Sequence, residues 1–310
     1  MADLAGVYVD YGSALAAGYR GHVLEPLDDP LGHAIGLGYP GGFLARVDPG
    51  TGSWTYHSVG YRNAYDLAFD AFGAAFTCDS DMEWDVGLPW YRPVRVVRAQ
   101  PGADFGWRSG SGKWPAWYPD SVPALVDVGR GSPTGVALHQ PGPGGAWPER
   151  YAGALIVGDW SGGRILAVHL RPPDEQPLDA AFVPEVEELL RARGGLSVTD
   201  LEFGPDGALY FASGGRGAAG RIQRLVPSGT ERALTEGGGD PVERALRQAQ
   251  PWSAWGRART AALREDAGAG WLPGLRTAAF EPSRRAEDRV RALWLLEQAG
   301  GDLSRQDVER

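Results

Sequence analysis

An internal repeat constrains the fold of this chain more than any other feature. Residues 66–76 can be laid over residues 200–210, and both copies read as a strand, a tight turn and a second strand. The dipeptide Asp206-Gly207 is a strong hairpin signal, and Gly73 fills the equivalent position in the first copy. The repeat therefore predicts at least two similar antiparallel hairpins.

Further short strands surround these hairpins and extend the repeat. They are expected at 93–98 and 221–225, in a third copy at 134–138, 154–160 and 163–170, and in part of a fourth at 42–47 and 53–56. Repeated meanders of this kind are typical of β-propeller blades, whereas unrelated hairpins would give a β-sandwich. The matched copies favour the propeller, and the 46 glycines and 24 prolines suit its many turns.

The composition changes after about residue 227, where alanine, arginine and leucine dominate. Apolar residues recur at helical spacing in 287–299, and 241–250 and 255–265 also read as helices. We therefore predict two domains: propeller blades in an incomplete ring over 1–230, and the start of a HEAT-like helical repeat over 231–310. A helical array this short is marginal alone, so we expect it to dock on the propeller.

Charge and cysteine content exclude several classes of function. The net charge of −9 lies wholly in residues 1–230, which argues against a nucleic-acid partner. Cys78 is the only cysteine, so no intrachain disulfide can form, and the C-x-x-C-H motif of covalent haem attachment is absent. No apolar run reaches membrane-spanning length, and the first 21 residues show no signal peptide.

Four carboxylates alternate in one short stretch, at Asp79, Asp81, Glu83 and Asp85. Alternate residues of an extended segment point the same way, so these side chains could share a face. Clustered carboxylates suit a Ca²⁺ ion, although the spacing is not that of an EF-hand. The alternative is a solvated acidic loop, which the spacing alone favours slightly.

Other candidate residues are weaker on their own. Arg62 beside Asn63 offers a guanidinium and an amide that could clamp a carboxylate, or the arginine could pair with a loop carboxylate. His33 is the best candidate for a site histidine, and a structural role at a blade edge is the alternative. Residues 102–132 form a long loop whose aromatic side chains could build a pocket wall or pack as a lid.

Several long motifs resemble the soluble quinoprotein glucose/sorbosone dehydrogenases. The stretch G-Y-R-N-A-Y-D-L-A-F at 60–69 is similar to that family's G-x-R-N-P-x-x-L-A-F segment, and A-D-F-G-W at 103–107 to its G-x-N-Y-G-W loop. Residues 79–93, 105–115 and 131–135 resemble a subgroup of large secreted planctomycete propeller proteins, known as membrane-bound dehydrogenases and haem-binding multidomain proteins.

The resemblance implies a six-bladed-type propeller that oxidises a sugar or alcohol with pyrroloquinoline quinone (PQQ) and Ca²⁺. Arg62 and Asn63 match the family's pair near the cofactor, and the loop carrying Asp79 and Asp81 matches its Ca²⁺-binding loop. It also implies a periplasmic or extracellular location and a cytochrome c domain after the helical repeats; this chain carries no haem site. The family's catalytic histidine lies in an earlier blade, so we expect the native gene to extend upstream of Met1.

Three cationic residues of the family are missing from the chain. The cofactor-contacting lysine would fall at 160–161 and the Arg-x-Arg-Asp motif at 197–200, where this sequence has W-S and S-V-T-D. PQQ carries three carboxylates, whose burial requires compensating cations. Three hypotheses follow: a PQQ-type dehydrogenase scaffold, a non-catalytic propeller that binds a glycan or protein partner, and a truncated product without its own function.

Overall fold

The chain is mainly β, with several sheets followed by a short helical segment, as the sequence predicts. A computed structural model describes residues 41–83, 91–108, 112–114, 117–118, 121–143, 145–170, 183–193, 195–228 and 239–301. His33 and Asp85 lie outside these residues. Within them, no helix is both long and apolar enough to cross a membrane.

Sixteen strands occupy the first part of the described chain. They are β1 (Gly42–Val47), β2 (Trp54–Tyr61), β3 (Ala68–Phe69), β4 (Ala75–Asp79), β5 (Val94–Ala99), β6 (Ala103–Asp104), β7 (Trp107–Arg108), β8 (Gly112–Lys113), β9 (Val126–Gly129), β10 (Pro133–Leu138), β11 (Leu155–Asp159), β12 (Arg164–His169), β13 (Glu185–Arg191), β14 (Val198–Phe203), β15 (Leu209–Gly215) and β16 (Ala218–Leu225). Two 3₁₀ turns, Glu149–Tyr151 and Gly268–Gly270, interrupt the loops.

The contacts divide the chain into two compact units. The first unit comprises Met1–Leu67, Ala75–Thr134 and Asp159–Gly162. In it β1 pairs antiparallel with β2, β6 adds to β2 in parallel, and β4, β5 and β9 are consecutive antiparallel neighbours. Tyr61 and Phe105 lie at the centre of its core, fully buried with ring centroids 5.0 Å apart.

The second unit comprises Ala68–Ala74, Gly135–Gly158 and Gly163–Arg310. One sheet has the order β10-β11-β12-β13, and another has β14-β15-β16. Alternate apolar side chains of these strands point into one shared core, as period-2 patterning requires. The four-strand and three-strand meanders are the architecture from which we infer propeller blades, and a six-bladed ring stays a prediction.

The predicted hairpins of the repeat close with the same hydrogen bonds. Gly73 N–H donates to the Asp70 carbonyl at 3.1 Å, and Gly207 N–H donates to the Gly204 carbonyl at 2.9 Å. Both glycines have positive φ, +79° and +77°, a conformation that a residue with a Cβ rarely adopts. The sequence repeat is therefore also a repeat of turn geometry.

The described part of the chain after the strands has four helices: α1 (Pro241–Leu246), α2 (Ala254–Ala267), α3 (Trp271–Phe280) and α4 (Ala286–Gln298). Caps explain where two of them begin. The Asp240 carboxylate accepts the Val242 N–H at 3.1 Å, and the Ser253 hydroxyl accepts the Gly256 N–H at 2.9 Å. Buried alanine, leucine and tryptophan side chains on all four helices form a core of their own. The boundary between domains at 230 and 231, and the HEAT-like character of the helices, stay predictions.

Tryptophans attach the helical segment to strand turns within the second unit. Trp252 Nε1 donates to the Asp70 carbonyl and Trp255 Nε1 to the Phe203 carbonyl, each at 2.8 Å. A Cβ on Gly73 would lie 2.7 Å from the Trp294 ring, so this glycine admits the close approach of α4. The two repeated hairpins thus share one kind of partner, an indole from the helices.

Candidate functional site

Asp79 is the centre of the candidate site and lies at the end of β4 with no solvent exposure. Its Oδ1 accepts the backbone N–H groups of Arg62 and Asn63, at 2.9 and 2.8 Å. These two residues form the bend directly after β2. A single buried carboxylate therefore fixes the backbone of the Arg62-Asn63 pair.

Two cations neutralise the other oxygen of Asp79. Arg95 faces Asp79 across the β4–β5 ladder, and its Nε and Nη2 donate to Oδ2 at 3.1 and 2.8 Å. Arg95 also donates to the carbonyls of Phe105 and Gly60, at 2.7 and 3.2 Å. Lys113 Nζ lies 3.7 Å from Oδ2. The fork of Arg95 thus ties three strand ends of the first unit together.

Lys113 is buried, with 4% of its side chain exposed. Its Nζ donates to the carbonyls of Ser80 and Pro93, the latter at 3.3 Å. Burial lowers the pKa of Lys113 to about 8, and Arg95 and Arg62 act in the same direction while Asp79 opposes them. The only lysine of the chain is therefore part of the interior of this site.

The pKa of Asp79 is lower than that of an ordinary aspartate. Burial raises it, but the charges of Lys113 and Arg95 and the hydrogen bond from Asn63 N–H outweigh that effect. One ionised carboxylate thus stands against two buried cations. The arrangement is already charge-compensated by protein groups, as a buried carboxylate requires.

The side chains predicted to bind Ca²⁺ do not share a face. Asp79 points to Arg95 and Lys113, Asp81 accepts from the Tyr91 hydroxyl at 3.1 Å, and Glu83 pairs with Arg62 Nη2 at 3.5 Å. No three His, Cys, Asp or Glu residues of the described chain gather in a way that could hold a metal ion. Because Asp85 lies outside the described residues, the four-carboxylate calcium site stays a prediction.

The side chains of Arg62 and Asn63 differ in their exposure to solvent. Asn63 is exposed, whereas 17% of the Arg62 side chain is exposed beside Glu83, which is 47% exposed. An ion pair of 3.5 Å with an exposed carboxylate contributes little to stability. The pair therefore has a backbone fixed by Asp79 and an exposed amide side chain at Asn63.

The strand-end carboxylate recurs in the third copy of the repeat. Asp159 ends β11, and its Oδ1 accepts the N–H groups of Ser132 and Gly162, each at 2.9 Å. A Cβ on Gly131 would lie 2.6 Å from this carboxylate, which shows how closely the chain wraps it. Carboxylate-to-backbone anchoring is thus a repeated structural device of the strand ends.

The aromatic residues of the 102–132 loop divide between core and surface. Trp107 is buried, and Trp114 lies 4.8 Å from Tyr118 and under the Arg108 guanidinium at 4.2 Å. Trp117 is 80% exposed. The described aromatic residues therefore pack partly as a lid, with Trp117 as their one strongly exposed ring.

Arg95 and Lys113 were not singled out from the sequence. Arg95 sits in the strand V-R-V-V-R, where a charged residue is normally expected to face solvent, and Lys113 lies in a Gly/Ser-rich loop. A cation opposite a strand-end aspartate was the available signal for Arg95. It could be used only once the register Asp79↔Arg95 was known.

No protein-family model matches the chain, and no curated protein sequence matches it. Solved structures similar to it include a candidate oxidoreductase (glucose dehydrogenase) from Thermus thermophilus, with 21% identity, TM-score 0.41 and 55% of this chain covered. The PQQ-bound aldose sugar dehydrogenase of Streptomyces coelicolor shares 18% identity over 60% of this chain, with TM-score 0.39. The soluble aldose sugar dehydrogenase of Escherichia coli, in its apo form, shares 15% over 55%, with TM-score 0.38. The matches cover 47%, 49% and 46% of those proteins, so the chain spans about half their length.

Proposed function

We propose that this chain is part of a β-propeller oxidoreductase that acts on a sugar or an alcohol, with Arg62 and Asn63 as a clamp for a carboxylate of its electron acceptor. The observation that carries the proposal is the buried Asp79 carboxylate, which holds the N–H groups of both residues at 2.9 and 2.8 Å. A clamp with a fixed backbone loses little conformational entropy when it binds. The motif resemblance at 60–69 supplies the class of reaction.

PQQ itself fits the described residues incompletely. Its three carboxylates require several cations, but Arg95 and Lys113 are already committed to Asp79. The positions at 160–161 and 197–200 carry no lysine or arginine. We therefore assign Arg62 and Asn63 to one carboxylate only and derive no catalytic step through PQQ or Ca²⁺. A periplasmic or extracellular location and a cytochrome c partner belong to the same proposal.

The proposal is tested by titrating the protein with PQQ and Ca²⁺ and following dye reduction with aldoses and alcohols. We expect cofactor binding that weakens about tenfold or more in Arg62→Ala, because a charge-assisted bond is lost. Arg46→Ala, which removes an exposed arginine of β1, is the matched control and should bind as the parent does. Absence of binding at roughly micromolar cofactor would retire the PQQ form of the proposal.

A second candidate function is a non-catalytic propeller that binds a glycan. The 80% exposure of Trp117 favours it, because a large exposed aromatic ring is a common platform for sugar rings. Trp117→Ala should abolish glycan retention on an array without changing the unfolding midpoint. Equal retention by the parent and the variant would exclude this ring as the platform.

A further inference from the structure

An exposed aromatic surface lies where a hairpin turn meets the helical segment, within the second unit. Phe69 is 39% exposed and Phe72 is 47% exposed. The ring centroid of Trp252 lies 6.2 Å from that of Phe69 and 5.5 Å from that of Trp294. A Cβ on Gly73 would lie 2.7 Å from Trp294, so the turn that carries Phe72 lies against this ring. We call Phe69, Phe72, Trp252 and Trp294 the aromatic patch, and contiguous exposed apolar surface of this kind favours an interaction site.

Arg291, on α4, lies against this patch and is only 6% exposed. Its guanidinium carbon is 5.4 Å from the centroid of the Trp252 ring. Its Nη2 donates to the Thr260 hydroxyl over 3.4 Å, which is a long hydrogen bond. Its Nε is enclosed and has no hydrogen-bond partner among the described residues. Its Nη1 also lacks a described partner but is not enclosed, so the guanidinium can be reached from the surface.

Arg291 also lacks a counter-charge. No carboxylate of the described residues forms an ion pair with it, and Asp288, one turn earlier on α4, is held by Arg285 at 2.6 Å. Burial lowers the pKa of Arg291 to about 10, so the guanidinium is still charged at neutral pH. Removing a charge from water without a counter-charge is costly, and the face of one indole offsets only part of that cost.

The exposed rings and the uncompensated cation require the same kind of ligand. A carboxylate would supply the missing charge and accept from the guanidinium, and apolar groups beside it would cover the rings. A small free anion would satisfy Arg291 but leave the rings exposed. A second copy that met this one through the same patch would add another arginine instead of a carboxylate. Arginine and tryptophan are the residues that most often carry the binding energy of protein interfaces, which favours a protein partner.

We propose that the aromatic patch docks a partner protein through a glutamate or aspartate flanked by apolar residues, with the carboxylate paired to Arg291. The surface belongs to the second unit alone and does not include Arg62, Asn63 or Asp79. It does not rest on the proposed oxidoreductase function. Dye reduction tests that function and peptide binding tests this surface, so a failure of either leaves the other standing.

The test selects binders to the immobilised full chain from a phage-displayed library of short random peptides. Clones that also bind Arg291→Met are removed. We expect the remaining peptides to carry an acidic residue between apolar ones. Each is then synthesised twice, with the acidic residue and with its amide, and calorimetry compares the two. The amide peptide should bind about tenfold or more weakly, because it cannot supply the counter-charge to Arg291.

Variants of the chain then assign the contacts. Arg291→Met keeps an unbranched side chain and removes the charge, and it should weaken binding of the acidic peptides about tenfold or more. Arg264→Met, which removes an exposed arginine of α2, is the matched control and should leave the affinity within about twofold. Phe72→Ala should also weaken binding, whereas Val47→Ala, at a 54% exposed residue of the first unit, should not.

Three results would overturn the proposal. They are a selection that enriches no acidic peptide, equal affinity of the acid and amide peptides for the parent chain, and unchanged affinity in both Arg291→Met and Phe72→Ala. The second of these would mean that the guanidinium takes no part in binding. If Arg291→Met fails to fold by circular dichroism, peptides are selected on the parent against Phe72→Ala, and the comparison of acid and amide peptides decides the question.

Discussion

Asp79 sets one negative charge against two buried cations, Arg95 and Lys113. Removing one member of such a cluster leaves the others desolvated and uncompensated, which costs more than the cluster contributes when intact. The Arg62-Asn63 bend depends on the same carboxylate through two backbone hydrogen bonds. The stability of the first unit and the geometry of the candidate clamp therefore depend on the same atoms.

Asp79→Asn should lower the free energy of unfolding by roughly 3 to 5 kcal/mol, because two buried cations lose their counter-charge. Urea unfolding followed by circular dichroism measures the change. Glu83→Gln is the matched control, since Glu83 is 47% exposed and pairs with Arg62 at 3.5 Å. It should cost less than about 1 kcal/mol. Similar losses in the two variants would contradict the central role given to Asp79.

His139 makes the stability of the second unit depend on acidity. Burial lowers its pKa in the folded state, although the hydrogen bond to Tyr151 and the charge of Glu149 oppose that effect. The unfolded chain takes up the proton first, near pH 6.5, so stability is complete above that pH and is lost as the pH falls below it.

His139→Phe should therefore flatten the acid side of the stability profile. Urea midpoints measured at about pH 7.5 and about pH 5.5 give the slope for the parent and the variant, and the other titrating groups cancel in the difference. An equal change of the urea midpoint with pH in the parent and the variant would show that protonation of His139 is not coupled to folding.

The candidate site shows why sequence reasoning singled out three of its five residues. Arg62, Asn63 and Asp79 lie in motifs and were predicted as site residues. Arg95 and Lys113 are 16 and 34 positions from Asp79, and only strand register and loop closure bring them together. Charge in a strand or loop predicts exposure, so a buried compensating cation has no local signal.

At the scale of elements, indole side chains of the helical segment donate hydrogen bonds to backbone carbonyls at strand turns. Trp252 and Trp255 each donate to a carbonyl at 2.8 Å, whereas the Nε1 atom of Trp271 is buried inside the helical core and has no partner among the described residues. Replacing Trp252 and Trp271 by phenylalanine therefore distinguishes the stability contributed by an indole hydrogen bond from that contributed by ring packing.

Trp252→Phe should destabilise the protein by about 1 kcal/mol beyond the loss of ring area, because the Asp70 carbonyl keeps the Gly73 N–H but loses the hydrogen bond from the indole. Trp271→Phe is the control: it removes an unsatisfied donor together with similar ring area, so it should cost clearly less. Thermal unfolding of both variants measures the difference. A larger loss at Trp271 would mean that the indole bonds do not carry the attachment.

The strongly periodic elements were predictable and the irregular ones were not. The strand predicted at 42–47 agrees with β1, and the helix predicted at 241–250 begins where α1 begins. Helix α3 was missed because Pro273 and Gly274 read as a break. Pro273 in fact lies in the first turn, where its missing N–H would have had no intrahelical partner. Strand β13 was missed because E-V-E-E-L-L-R lacks the β-branched residues that mark strands.

At the scale of the whole molecule, the helical segment belongs to the same compact unit as the strands it touches. Its helices have their own core, but two of its tryptophans bond to turns of the repeated hairpins. The sequence predicted a separate segment that docks, and the contacts within the second unit explain why a short helical array is stable there.

A chain that ends at Ser228 should lose protection from hydrogen exchange at both repeated turns, 69–74 and 203–208. Each turn is closed by backbone hydrogen bonds of its own, such as Gly207 N–H to the Gly204 carbonyl, and the indoles of Trp252 and Trp255 donate to the carbonyls of Asp70 and Phe203. Loss of about 1 kcal/mol of local stability raises exchange roughly fivefold to tenfold. The β1–β2 hairpin at 42–61, in the first unit, is an internal control whose exchange should not change. Unchanged protection at both turns would mean that the blades hold these hairpins without the helices, and the helical segment would then be an appendage and not part of the fold.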